Sequence, residues 1–181
     1  MSLSWLPNAI SLLRIALVAP TLALILDGEY GWALALFFVA GFSDGLDGYL
    51  AVRFDWRTRL GGLLDPAADK LLITGLFVTL AWTGDIPVWL AAIVILRDAV
   101  IVAGAIAYHF VVRPVPGEPT RISKLNTALQ MLFVLFVLSR AGFAWPDEIA
   151  ITILGAAILV TVVVSGVDYV VSWSRRAQAG D

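Results

Sequence analysis

The chain has 181 residues, 60% of them hydrophobic and 14% charged, with a net charge of −2 and a mean hydropathy of +0.91. That composition excludes an ordinary soluble domain of this length and leaves room for one domain, 1–181, in an all-α polytopic membrane protein. Cysteine is absent, which excludes disulfides and thiolate chemistry.

The opening MSLSWLPNAISLLR lacks a basic region before its apolar run, so it reads as a short N-terminal interfacial segment leading into a retained first helix. Six apolar segments follow: Ile10–Leu26, Tyr30–Val52, Leu63–Trp82, Val88–Phe110, Ile122–Leu138 and Ile149–Trp173. Each is about long enough to cross a hydrocarbon core of ~30 Å. Turn signals separate them at Asp27-Gly28, Gly84-Asp85 with Pro87, Pro114 to Pro119, and Pro146-Asp147.

With the N-terminus inside, one side of the membrane holds Arg14, Arg53, Arg57, Arg59, Lys70, Arg113, Arg121, Lys124, Arg175 and Arg176. The other side holds only Arg140, and Arg97 lies within the fourth segment. This bias places both termini on the cytoplasmic side. Trp5, Trp56, Trp82, Trp89, Trp145 and Trp173 fall near segment ends, which fits either interfacial anchors or, for some, packing residues. Membrane lipid, and not nucleic acid, is the expected surrounding.

The second and third segments carry the chemistry. Asp44 and Asp47 are spaced i,i+3 and Asp65 and Asp69 i,i+4, so each pair shares one helical face. The two segments form a hairpin whose aspartates meet just below the cytoplasmic interface. Carboxylates at that depth are costly unless something offsets their desolvation, and hard oxygen ligands suit Mg²⁺ or Mn²⁺. Gly48, Ala51 and Gly61 leave room beside them for close packing or a bulky ligand. Metal there would neutralise a diphosphate.

These residues resemble the signature of the CDP-alcohol phosphatidyltransferase family, D-x2-D-G-x2-A-R-x8-G-x3-D-x3-D. Asp44, Asp47, Gly48, Ala51, Gly61, Asp65 and Asp69 meet it, whereas Val52 stands at the arginine position with Arg53 beside it. The resemblance implies displacement of CMP from a CDP-linked lipid by an alcohol, with two divalent ions. Asp44 and Asp65 would bridge the ions, Asp47 would bind one, and Asp69 would bind the other and act as general base. Gly48, Ala51, Thr58 and Gly61 would contact the nucleotide. Arg53 lies about 100° round a regular helix from Val52, so it replaces the family arginine only if the helix end unwinds or the side chain bends. The resemblance also implies a homodimer.

Pro7-Asn8-Ala9-Ile10-Ser11-Leu12-Leu13-Arg14 resembles the family's opening P-N-x2-[ST]-x2-R, which would set Asn8, Ser11 and Arg14 near the donor diphosphate. A helix cap with a snorkelling arginine is the alternative. LRDAVIV and ISKLNTALQ resemble the cardiolipin synthase branch more than the phosphatidylglycerophosphate synthases. That implies CDP-diacylglycerol as donor and phosphatidylglycerol as acceptor, with glycerol 3-phosphate as the alternative. A bacterial inner membrane is the expected location.

Arg97 and Asp98 are expected to face the bundle interior, each with a different partner because adjacent residues do not share a helical face. Arg113, Arg121 and Lys124 form either a basic rim for a phosphate-bearing acceptor or a plain cytoplasmic loop. His109, at a helix end, reads as interfacial. A cation or proton carrier is the competing class. It requires polar residues continuing outward, but Trp32–Val39 and Thr74–Trp82 are mostly apolar. A degenerate binding subunit is the third reading, supported only by Val52.

Overall fold

The computed structural model describes residues 6–53, 61–111 and 121–179, with side chains at 9–43, 68–104 and 122–166. All regular structure among them is helical: α1 (Leu6–Leu26), α2 (Tyr30–Arg53), α3 (Gly61–Thr83), α4 (Val88–Val111), α5 (Arg121–Phe143) and α6 (Glu148–Ala179). These are the six expected segments, with α5 and α6 running past the ends drawn at Leu138 and Trp173. From Leu6 onward the opening stretch is already part of α1. Pro7 lies in its first turn, where a missing N–H costs no helical hydrogen bond. Among the described residues, Ala9–Leu26, Ile122–Phe143 and Glu148–Gly166 are long and apolar enough to cross a membrane, and Tyr30–Ser43 is a shorter apolar helix.

Glycine ends two of the helices. Gly28 and Gly84 adopt φ of +78° and +84°, the left-handed region that a Cβ disfavours. After α1, the Glu29 N–H donates to the Leu24 carbonyl (2.8 Å) and the Gly28 N–H to that of Ile25 (3.1 Å). After α3, the Asp85 N–H donates to the Leu80 carbonyl at 2.9 Å. Both patterns satisfy carbonyls that a helix end otherwise leaves unpaired.

The chain forms two compact units, residues 1–86 with 134–147, and residues 87–133 with 148–181. In the first, α1 packs against both α2 and α3. Its buried Ser11, Arg14, Thr21 and Ile25 follow a regular stripe. Ala33, Phe37 and Ala40 do the same on α2, and Ala68, Leu72, Leu76 and Leu80 on α3. Lipid tails are as apolar as leucine, so close approach takes over from the hydrophobic effect between such helices. Gly75 shows this, since a Cβ there would lie 2.9 Å from Leu22 Cδ1.

The second unit contains α4, the first half of α5, and α6. α4 packs on α6, and an added Cβ at Gly155 would meet Phe133 at 3.6 Å and Leu90 at 3.7 Å. Ala91, Val94, Ile158 and Val162 add to its buried apolar set.

Candidate active site

Two contacts fix how the helices of the first unit run. Arg14 on α1 meets Asp69 on α3, and Leu22 meets Gly75, so α1 and α3 are parallel. At the far end, the Tyr30 hydroxyl at the start of α2 donates to Asp85 Oδ2 (2.8 Å), just beyond α3, and Thr83 donates to the same oxygen. Thus α2 runs antiparallel to α3. Asp44 lies 14 residues along α2 from Tyr30, and Asp69 lies 14 residues back along α3 from Thr83. At 1.5 Å per residue both positions sit about 21 Å from that shared end. Asp47 and Asp65 fall a further turn beyond.

Register says the same. On α2, positions 44 and 47 continue the 33, 37, 40 stripe by heptad spacing, and on α3 position 65 continues the 72, 76 stripe. The helices therefore bring the four positions to one end of the unit, at two levels about one turn apart. The side chains of Asp44, Asp47 and Asp65 lie outside the described residues.

Asp69 is described, and its environment is specific. Arg14 Nη1 donates to Asp69 Oδ1 at 2.7 Å; the guanidinium side chain is 0% exposed and the carboxylate 29%. The alternative of a snorkelling arginine is therefore corrected, because Arg14 turns inward. A charge buried beside apolar helices needs a partner, and the Asp69 carboxylate supplies one. Ser11, one turn before Arg14, is fully buried as well.

The donor set at the aspartate positions consists of carboxylates alone, with no thiolate or imidazole. That chemistry fits Mg²⁺ or Mn²⁺ and disfavours softer metals.

The other expected site residues divide as follows. Asn8 lies in the first turn of α1, Gly48, Ala51, Val52 and Arg53 in the last turns of α2, and Gly61 opens α3, all with side chains outside the described residues. Thr58 and Arg113 lie outside the described residues altogether, as do the side chains of Arg121 and His109. Lys124 is exposed on the first turn of α5.

One expectation is overturned in the second unit. Arg97 and Asp98 pair with each other, Arg97 Nη1 to Asp98 Oδ1 at 2.7 Å, with both residues buried. Adjacent residues diverge on a helix, but the long arginine side chain bends back far enough to close the gap. Its Nη2 also donates to Ser123 on α5 (3.0 Å) and to Ser165 on α6. One guanidinium thus ties three helices. Thr161 on α6 donates to Asn126 Oδ1 on α5 at 2.8 Å. This polar interior was legible only in part. Ser123, Asn126 and Gln130 at i, i+3, i+7 and Thr161 and Ser165 at i, i+4 were the available signal.

Helices long and apolar enough to span a membrane, with paired acidic positions at one end of the first unit, define an integral membrane protein. The model of the CDP-alcohol phosphatidyltransferase family matches residues 4–167, and the chain belongs to that family. It is 35% identical to human cardiolipin synthase (CMP-forming) over 181 aligned residues, covering 91% of this chain and 60% of the relative. It is 36% identical to the cardiolipin synthase (CMP-forming) of Streptomyces coelicolor over 153 residues, 80% of this chain and 70% of the relative. A probable phosphatidylglycerophosphate synthase of Mycobacterium tuberculosis is 33% identical over 172 residues, 91% of this chain and 79% of the relative. The chain spans less than two thirds of the length of its human relative.

Proposed function

We propose that the chain is a phosphatidyltransferase in which an alcohol displaces CMP from CDP-diacylglycerol, with phosphatidylglycerol as acceptor and cardiolipin as product. The observation that carries this reading is the Arg14–Asp69 pair at the end of the unit to which helix register also brings Asp44, Asp47 and Asp65.

In this reading Asp44, Asp47, Asp65 and Asp69 would together hold two Mg²⁺ or Mn²⁺ ions. When bound, the ions supply positive charge to the diphosphate and its leaving group. Asp69 accepts the proton of the acceptor hydroxyl as its oxygen bonds to the phosphatidyl phosphorus; the bond from that phosphorus to the CMP oxygen breaks, and CMP departs. Arg14 holds one Asp69 oxygen, which keeps the carboxylate oriented toward its task. Asn8, Gly48, Ala51, Arg53, Thr58 and Gly61 border the nucleotide, and Lys124 lies on the acceptor's path. The reading includes a homodimer in a bacterial inner membrane, and the Lys and Arg bias supports a cytoplasmic location for both termini and the active site.

The test is CMP release by purified protein given CDP-diacylglycerol with either phosphatidylglycerol or glycerol 3-phosphate. Cardiolipin is the expected product, and Asp69→Asn is expected to fold and to lose turnover. Undiminished product from that variant removes the base assignment. A phosphatidylglycerophosphate synthase is the second reading, favoured by the Mycobacterium tuberculosis relative; product from glycerol 3-phosphate alone decides for it.

A further inference from the structure

Arg14 does more to Asp69 than orient it. Its Nη1 donates to Asp69 Oδ1 at 2.7 Å, a charge-assisted contact at the short end of the usual range. The pair is built into the seam between α1 and α3. About two turns further along α1, Leu22 lies so near Gly75 that an added Cβ there would meet Leu22 Cδ1 at 2.9 Å. Ser11, one turn before Arg14, and Thr21 beyond it are fully buried on the same helix. The arginine is thus rooted where its helix meets α3. Its side chain has no exposed surface, so water does not take the carboxylate's place when the two part. Asp69 Oδ1 is committed to Arg14.

That commitment bears on any ion the carboxylate holds. A carboxylate ligates through one oxygen or through both. Ca²⁺ gathers about six to eight oxygens in loose geometry and often takes both from one carboxylate. Mg²⁺ demands a near-ideal octahedron at about 2.0–2.1 Å, keeps several waters and uses few carboxylates. An ion that takes both oxygens of Asp69 has to sit beside the guanidinium at Oδ1 or displace it. The first course sets a dication next to a cation in surroundings that screen poorly. The second breaks a buried pair. One-oxygen ligation avoids both. Without Arg14, a donor set of carboxylates suits Ca²⁺ at least as well as Mg²⁺, because Mg²⁺ dehydrates reluctantly.

We propose that Arg14 is a metal-specificity residue: by occupying Asp69 Oδ1 it limits that carboxylate to one-oxygen ligation and so discriminates against Ca²⁺ in favour of Mg²⁺ or Mn²⁺. This rests on the reading of Asp69 as a metal ligand in a phosphatidyltransferase, and it gives Arg14 a task that orienting or stabilising Asp69 does not entail.

The experiment uses the full chain in nanodiscs of phosphatidylcholine, a lipid without net charge. Mn²⁺ binding is followed by loss of the free ion's electron paramagnetic resonance signal, and Mg²⁺ and Ca²⁺ are titrated in to displace it. Each titration is run with and without CDP-diacylglycerol, against nanodiscs lacking protein. The parent is expected to bind Mg²⁺ no more weakly than Ca²⁺. Arg14→Met, which releases Oδ1, is expected to move the ratio of Ca²⁺ to Mg²⁺ affinity toward Ca²⁺ by about tenfold or more, the scale on which the partner of a ligand tunes its metal. Arg14→Lys, whose flexible ammonium holds one oxygen less firmly, is expected to move it the same way by a smaller factor. A ratio unchanged in Arg14→Met, or in Arg14→Lys where that variant alone folds, overturns the proposal, because a purely structural role weakens every ion in proportion. A parent that prefers Ca²⁺, or that binds no Mn²⁺ under either condition, overturns it as well. A parent that binds metal yet releases no CMP with any acceptor removes the transferase reading, while the affinity ratios still decide the role of Arg14.

Discussion

Arg14 is a full positive charge with no exposed side-chain surface, and Asp69 at 2.7 Å is what makes that burial tolerable. Removing one partner of such a pair strands the other in a poor solvent, which costs more than the pair contributes. Because Asp69 is partly exposed, about 1–3 kcal/mol is expected for Arg14→Gln. The expected outcome is a lowered thermal midpoint in detergent and a kcat reduced about 10–100-fold, with Arg14→Lys recovering part of both. A rise confined to KM for CDP-diacylglycerol points instead to Arg14 as a direct ligand of the diphosphate. Gln130 shows the opposite situation, a buried amide whose replacement by methionine is expected to cost nothing in hydrogen bonding. The two differ because Arg14 has a partner to lose and Gln130 has none among the described residues.

At the scale of elements, close approach decides which helices meet. A Cβ on Gly142 of α5 would lie 3.2 Å from the backbone nitrogen of Gly31 on α2, and backbone cannot step aside as a side chain can. At Gly75 the obstacle is the end of the Leu22 side chain, which can rotate away. Gly142→Val is therefore expected to lower the thermal midpoint clearly more than Gly75→Ala, each measured in the same detergent. Overpacking of this kind costs about 1–3 kcal/mol. Ser165→Ala removes one acceptor from Arg97 and is expected to cost about 1–3 kcal/mol of stability, with no change in the metal requirement. The helix ends are set by local chemistry: left-handed Gly28 and Gly84 stand where Asp27-Gly28 and Gly84-Asp85 signalled turns. Trp82, Trp89 and Trp145 are exposed near helix ends.

At the scale of the whole molecule, the metal requirement and the orientation are the testable properties. Stripping divalent cations with a chelator is expected to abolish CMP release, and Mg²⁺ or Mn²⁺ to restore it. Asp65→Asn is expected to shift that titration toward higher metal concentration, and a titration matching the parent's counts against ligation by Asp65. Reporter fusions at each terminus are expected to report the cytoplasm, following the distribution of Lys and Arg. A terminus found outside reverses the assigned sidedness of the aspartate end.

The existence of the six helices, the turns at Gly28 and Gly84 and the spacing of the acidic positions followed from sequence because each depends on local rules: apolar run length, left-handed glycine and i,i+3 or i,i+4 spacing. The turn expected at Pro114 to Pro119 lies outside the described residues. Which partner a buried charge takes is not local. Asp69 receives Arg14 from 55 positions away, and Arg97 gathers its neighbour Asp98 together with Ser123 and Ser165 from two further helices. Spacing along one helix says which face a residue occupies, but a side chain as long as arginine is free to reach across or back. Only the packing of α1 on α3, and of α4 with α5 and α6, chooses among those reaches.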